Sequence, residues 1–203
     1  MPINESHGRL LTVAEEAFLR DGYGSTNLAQ VARDSGISKK TIYKFVSSKA
    51  DLFSSVIKGA IADVGAFSAF ASADGSDMVG TLTDFLDAYA ELSFSDKAVT
   101  INRLVVGEAR QFPELARAYF ESVDSTVTQT LVAWLQARMD EGSLELASAS
   151  SAANVLISMV LAEPLHRARL GVEAPPRDDQ RTQLVREAVN IFLFGASASR
   201  QSG

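Results

Sequence analysis

Lys39, Lys40, Tyr43 and Lys44 fall within one short stretch, SGISKKTIYKFVSSKADLF, at residues 35–53. Ammonium groups and a phenol this close together can neutralise phosphates, hydrogen-bond their oxygens, or reach the acceptor edge of guanine. On a helix turning by 100° per residue, Lys39, Tyr43, Lys40 and Lys44 lie at about 0°, 40°, 100° and 140°. Thr41, Phe45, Ile42 and Val46 span about 200° to 340° on the same wheel. One face is therefore three lysines and a tyrosine; the other is apolar, with Thr41 at the border. The apolar face is expected to pack on Phe18, Val31, Ala32 and Ile37, leaving the basic face to enter a DNA major groove, which admits an α-helix.

The charge distribution points the same way. The chain of 203 residues has a formal net charge of -6. Residues 1–53 carry seven Lys/Arg against six Asp/Glu, whereas residues 54–203 carry twelve against nineteen. Within 25–50 the balance is five against one. A solvated face on an ordinary helical bundle would usually mix the signs; this chain gathers positive charge locally and places an acidic body behind it.

Other chemistries find little support. There is no Cys, which excludes disulfides, thiolate metal sites and Cys nucleophiles. The two histidines, His7 and His166, are isolated; Glu163 three residues before His166 does not complete a metal site, and His166 reads as a structural or interface residue. No G-x-S-x-G elbow and no Gly-rich phosphate loop occurs, so an enzyme is not expected, and no cofactor is expected. No apolar run approaches the roughly 18 residues of a membrane span and the N-terminus lacks a signal-type apolar stretch, so a soluble, cytoplasmic protein without membrane association is expected.

These side chains need elements to hold them, and the periodicity predicts helices throughout: an all-α chain. A first helix covers about 8–21, with Leu11, Ala14 and Phe18 on one face, and Gly22 and Gly24 stop it. A short helix follows over 28–35, capped by Thr26 or Asn27. Gly36 supplies a turn, Ser38 caps a helix over 39–45, and Ser48 with Asp51 opens a capping-box-like start of a helix running to about residue 70. Two short helices joined at Gly36 make a helix-turn-helix pattern. Thr26, Asn27 and Lys49, at flanking helix starts, suit phosphate contacts. Residues 71–77 read as a loop. Further helices are expected over 78–92, 96–111, 113–120, 123–141, 149–170 and 179–194, and the tail 198–203 is expected to be disordered.

The stretch AEEAFLRDGYGSTNLAQVARDSGISKKTIYKFVSSKADLF, residues 14–53, resembles the DNA-binding domain of the TetR family of transcriptional regulators. The likeness rests on Phe18, Gly22 and Tyr23; on Thr26 to Ala32; on Ser35 to Ser38; on Thr41 to Phe45; and on Lys49 to Leu52. Lys40 stands where the family often has a small residue, and Val46 where Phe is frequent. The resemblance implies that Thr26, Asn27, Ser38, Lys39, Lys40, Thr41, Tyr43, Lys44 and Lys49 lie at the DNA. Tyr43 and Lys49 would be phosphate contacts, and Lys39, Lys40, Thr41 and Lys44 base readers.

RLVVGEARQFPELARAYFESV (103–123) and GVEAPPRDDQRTQLVREAVNIFLFG (171–195) resemble the C-terminal domain of the AefR-like branch of that family. This implies a DNA-binding domain at 1–53 and a helical ligand-binding and dimerisation domain at 54–197, with a cavity inside the middle helices and a dimer made by the last two. Candidate pocket residues are Phe85, Tyr89, Asn102, Arg103, Phe112, Tyr119, Phe120 and Trp134, with Glu108 and Arg110 as further polar groups. Candidate interface residues are Leu161, Leu165, His166, Leu184, Ala188, Ile191 and Phe192. The expected protein is a ligand-responsive regulator, a repressor in most of the family, bound as a homodimer to a near-palindromic duplex operator and released by a small-molecule effector. A turnover enzyme and a helix-turn-helix that no longer binds DNA are the competing readings.

Overall fold

The computed structural model describes residues 3–62 and 64–195; the expected tail at 198–203 lies outside them. Helices dominate, and there is no strand among the described residues. They are α1 (Ile3–Ser25), α2 (Leu28–Asp34), α3 (Lys39–Phe45), α4 (Lys49–Ala62), α5 (Gly65–Ala71), α6 (Met78–Phe94), α7 (Asp96–Glu108), α8 (Pro113–Val123), α9 (Gln129–Asp140), α10 (Ala149–Leu170) and α11 (Asp178–Phe194). Among the described residues no single helix is long and apolar enough to cross a membrane.

Three departures from the expected elements have a local reason. α1 runs on past Asp21 to Ser25, but through a kink: Gly22 sits at φ 81, ψ 167, a conformation essentially reserved for glycine. The helix expected from 48 to 70 is divided, because α4 ends at Ala62 and Gly65, a poor helix interior residue, opens α5. Between α8 and α9 lies a single π turn over Asp124–Thr128. There the hydroxyls of Ser125 and Thr126 bond back to the Ser122 carbonyl, at 3.4 and 2.9 Å, and so compete with the helical ladder.

The chain groups into two compact units, Met1–Val64 with Asp96–Val127, and Gly65–Ser95 with Thr128–Gly203. The boundary expected at 53/54 lies inside α4. In the first unit α4 packs along α8 and α1, and α1 along α7. Its core holds Leu10, Phe18, Tyr23, Ile42, Leu52, Phe53 and Leu115, all fully buried. Ser54 and Ser122 share a hydrogen bond of 2.8 Å between α4 and α8.

In the second unit α6 packs on α10 and α11, and α9 on α10. Phe85 meets Phe67 edge-on at a centroid distance of 5.3 Å and Phe70 tilted at 4.2 Å, with Trp134 5.2 Å from Phe70. The largely buried Arg138 lies 5.2 Å over the Trp134 ring and donates to the Ala73 carbonyl and to Glu141. Arg181 of α11 makes a two-point ion pair with Asp87 of α6, at 3.0 and 3.1 Å.

Candidate nucleic-acid interface

The helix-turn-helix is built by its caps. Asn27 Oδ1 accepts the Ala29 amide at 2.8 Å and starts α2; of the two capping residues expected, the structure uses Asn27. Gly36 takes φ 72 at the turn. Ser38 Oγ accepts the Thr41 amide at 3.0 Å and lies 2.7 Å from Thr41 Oγ1, so α3 starts where the sequence puts it. Ser48 Oγ accepts the Asp51 amide at 3.0 Å, but Asp51 returns its bond to the Ser47 amide, at 2.7 Å, one residue earlier than a standard capping box.

With α3 held this way, its two faces separate as the wheel indicates. Ile42 and Val46 are buried, as are Val31, Ala32 and Phe18, and Phe45 lies 5.3 Å from the His7 ring. Lys39, Lys40 and Lys44 are exposed, and Tyr43 is 51% exposed. Among the described residues no carboxylate pairs with any of the three lysines, which are available to an external anion. Asn27 and Ser38 are exposed beside them, and Thr41 is half-buried at the border.

Two residues expected at the DNA make their hydrogen bonds within the first unit. Thr26 is only 5% exposed, and its hydroxyl donates to the Gly22 carbonyl at 2.6 Å, so it braces the kink rather than facing outward. Lys49 points inward as well. Its ammonium donates to the carbonyls of Tyr23, Gly24 and Thr26 at 2.6, 3.1 and 3.1 Å and lies 4.5 Å over the Tyr23 ring. An ammonium has three protons, and all three are used. Burial holds Lys49 below the usual lysine pKa, with the carboxylates of Glu108 and Glu114 opposing that fall.

Sequence reasoning missed the carboxylate that holds the same turn from its donor side. Glu108, expected among the pocket's polar groups, instead accepts the backbone amides of Tyr23 at 3.0 Å and Gly24 at 2.8 Å. Phe112, expected in the pocket, meets the Tyr23 ring edge-on at 5.4 Å. A signal was present: two glycines two residues apart mark a place where another segment closes in. A Cβ on Gly22 would lie 2.8 Å from Glu108 Oε1, and one on Gly24 2.9 Å from the Phe112 ring.

The remaining pocket candidates fall in both units. Phe85 and Trp134 fill the core of the second unit, where Trp134 donates its indole N–H to the Ala73 carbonyl at 3.0 Å and Tyr89 lies 6.2 Å from Phe67. In the first unit Asn102 donates to the Tyr119 hydroxyl at 3.1 Å, Arg103 is exposed, and Phe120 is 69% exposed. A groove of about 360 Å³ between α1, α4 and α7 and another of about 430 Å³ between α10 and α11 contain none of these residues. Of the interface candidates, Leu161 and Ala188 are buried within their own unit; Ile191 and His166 are exposed, and Leu165, Leu184 and Phe192 are half-buried. Phe194, Leu170, Val172 and Val155 add exposed apolar surface that the sequence reading left out.

An exposed, unpaired basic helix on a capped helix-turn-helix is the geometry of a DNA reader, and comparison with known proteins decides which kind. A family model for the AefR-like transcriptional repressor C-terminal domain matches residues 80–195, more than half of the chain. A model for bacterial regulatory proteins of the tetR family matches residues 10–56. The chain belongs to the TetR family of DNA-binding transcriptional regulators.

Other similarities of this regulator fit that placement. It is 34% identical over 58 residues to the HTH-type transcriptional activator FasR of Mycolicibacterium smegmatis, covering 29% of this chain and 26% of that protein. The match thus spans about a quarter of that relative's length. The solved flavonoid-responsive regulator FrrA superposes with a TM-score of 0.73 at 24% identity, covering 94% of this chain and 96% of the other. FadR from Bacillus subtilis, solved in complex with stearoyl-CoA, gives 0.67 at 15%, covering 94% and 99%. At these identities the structures share the fold. The family and its members are regulators rather than enzymes.

Proposed function

We propose that this regulator is a ligand-responsive repressor that binds a near-palindromic operator as a homodimer and is released by a small molecule. The observation that carries the DNA half is the exposed face of Lys39, Lys40, Tyr43 and Lys44, without a described carboxylate partner and backed by a buried Ile42. Lys39, Lys40, Thr41 and Lys44 are the base readers in this reading, and Tyr43 with Asn27 and Ser38 the phosphate contacts. The dimer half is supported by exposed apolar side chains on α10, α11 and the loop between them, Leu170, Val172, Ile191 and Phe194 among them. A twofold contact between two copies would set two α3 helices about 34–36 Å apart, one DNA turn.

The effector half is supported by the family and by FrrA and FadR, one described as flavonoid-responsive and the other holding an acyl-CoA. A ligand that prefers a conformation with mismatched half-site spacing shifts the population off the operator. Activation is the second reading, favoured by FasR, which is named an activator.

The groove assignment is tested by measuring duplex affinity against salt for Lys39→Ala and Lys44→Ala. Each variant is expected to bind more weakly and to lower the slope of log K against log salt by about one. Unchanged affinity and slope in both would remove α3 from the DNA.

A further inference from the structure

The kink in α1 leaves amides and carbonyls between Tyr23 and Thr26 that the first unit bonds from two sides with opposite charges. Glu108, the last residue of α7, offers one carboxylate oxygen to the Tyr23 amide and the other to the Gly24 amide, at 3.0 and 2.8 Å. Lys49, the first residue of α4, gives its three ammonium protons to the Tyr23, Gly24 and Thr26 carbonyls. The donors of the turn thus face an anion and its acceptors a cation. Both sets of bonds are charge-assisted, the stronger class. Phe112 closes over Gly24, and the ammonium lies 4.5 Å from the Tyr23 centroid and 5.6 Å from that of Phe112.

This turn runs directly into the helix pair that carries the basic face. Residue 27 is the cap of α2, and α2 packs on α3. Any freedom in the turn becomes freedom of the phosphate-facing cap and of the helix pair it starts.

We propose that Glu108 and Lys49 are positioning residues for DNA binding: they fix the Tyr23–Thr26 turn from its donor side and its acceptor side, and neither contacts DNA. The proposal rests on the reading of α3 as the DNA-facing helix. It reassigns a lysine whose place in the basic stretch otherwise makes it a phosphate contact.

The two assignments predict opposite signs. Removing the negative charge of Glu108 should tighten DNA binding by electrostatics alone. As a positioning residue, Glu108→Gln weakens it, because an amide has one carbonyl oxygen for two backbone donors and turns its NH2 on the other. Lys49→Arg should preserve or strengthen a phosphate contact, since a guanidinium binds phosphate well. A planar fork does not replace a point ammonium among three carbonyls, so positioning predicts a loss.

The experiment measures the affinity of wild type, Glu108→Gln, Lys49→Arg and Lys49→Met for one fixed labelled duplex across a salt series, well below the lowest melting midpoint. Amide exchange at Tyr23 and Gly24 is followed in the same proteins without DNA. Expected are losses of about tenfold or more for Glu108→Gln and Lys49→Arg, a salt slope unchanged in all three variants, and exchange at Tyr23 and Gly24 about tenfold faster in Glu108→Gln. Equal or tighter binding by Glu108→Gln or Lys49→Arg overturns the proposal, as does a slope lowered by about one in Lys49→Met. Equal exchange in wild type and Glu108→Gln also overturns it, independently of DNA. If wild type bound no duplex in a salt-sensitive way, the DNA reading would fail, and the exchange measurement would still decide the clamp.

Discussion

Tyr23 shows how one buried side chain registers the chemistry around it. It is fully buried against Phe18, Phe53 and Phe112, with its hydroxyl 3.5 Å from Glu114. Burial, followed by the neighbouring carboxylate, pushes its pKa up from 10.0 to about 12. The unfolded chain releases this proton near pH 10 while the folded chain holds it to about 12, so the folded state binds more protons in that window. Stability therefore falls with rising pH across it. Unfolding free energies of wild type and Tyr23→Phe, compared at about pH 9 and about pH 11, are expected to diverge in that direction, wild type losing about 1.3 kcal/mol relative to the variant. Lys49, held low by burial, moves the other way but is present in both proteins. Lys49 also marks the limit of reading residues one at a time. It counted toward the basic stretch by sequence position, yet its charge is spent on three carbonyls more than twenty residues upstream. No local spacing relates it to Glu108, which lies further still along the chain.

At the scale of elements, what was legible in the sequence is what is locally determined. The caps at Ser38 and Ser48, the turn at Gly36 and the two faces of α3 depend on residues within four positions of each other, and all stand where the pattern places them. The family resemblance, carried by the same local residues, is now shown. The kink in α1 is held by Glu108, far along the chain, and the π turn after α8 by hydroxyls that compete with the helical ladder; the pattern read the first as an end and the second as continuous helix. The pocket candidates illustrate the same limit: helical spacing of aromatics does not say which way they face, and Phe112 and Phe85 turned to cores of different units. The kink gives a paired test. Gly22→Ala forces a side chain into φ 81 and onto Glu108 at 2.8 Å, and is expected to cost about 2–4 kcal/mol in unfolding free energy. Gly107→Ala, one residue from the same carboxylate and inside α7, meets nothing within 4 Å and is expected to gain about 0.5–1 kcal/mol. Two similar changes in unfolding free energy would contradict the kink's role.

For the whole molecule, an acidic chain docks on a polyanion only through a restricted surface, and the exposed basic face of α3 is the one proposed for it. A single seven-residue helix reads few base pairs, so sequence specificity asks for two copies in fixed register. The exposed Ile191 and Phe194 of α11, 47% and 70% exposed, are the place to break that register, and Ile191→Glu puts a charge into the proposed contact. The decisive measurement for a dimeric DNA reader is selection from a pool of random duplex DNA with sequencing of the retained fraction, run on wild type and Ile191→Glu, with the mass of each followed by sedimentation. Wild type is predicted to sediment as a dimer and to enrich a near-palindrome with half-sites about one DNA turn apart, and Ile191→Glu to sediment as a monomer and lose the palindrome. Enrichment of a single asymmetric half-site by wild type, retention without sequence preference, or an unchanged palindrome in a dimeric Ile191→Glu would contradict that reading.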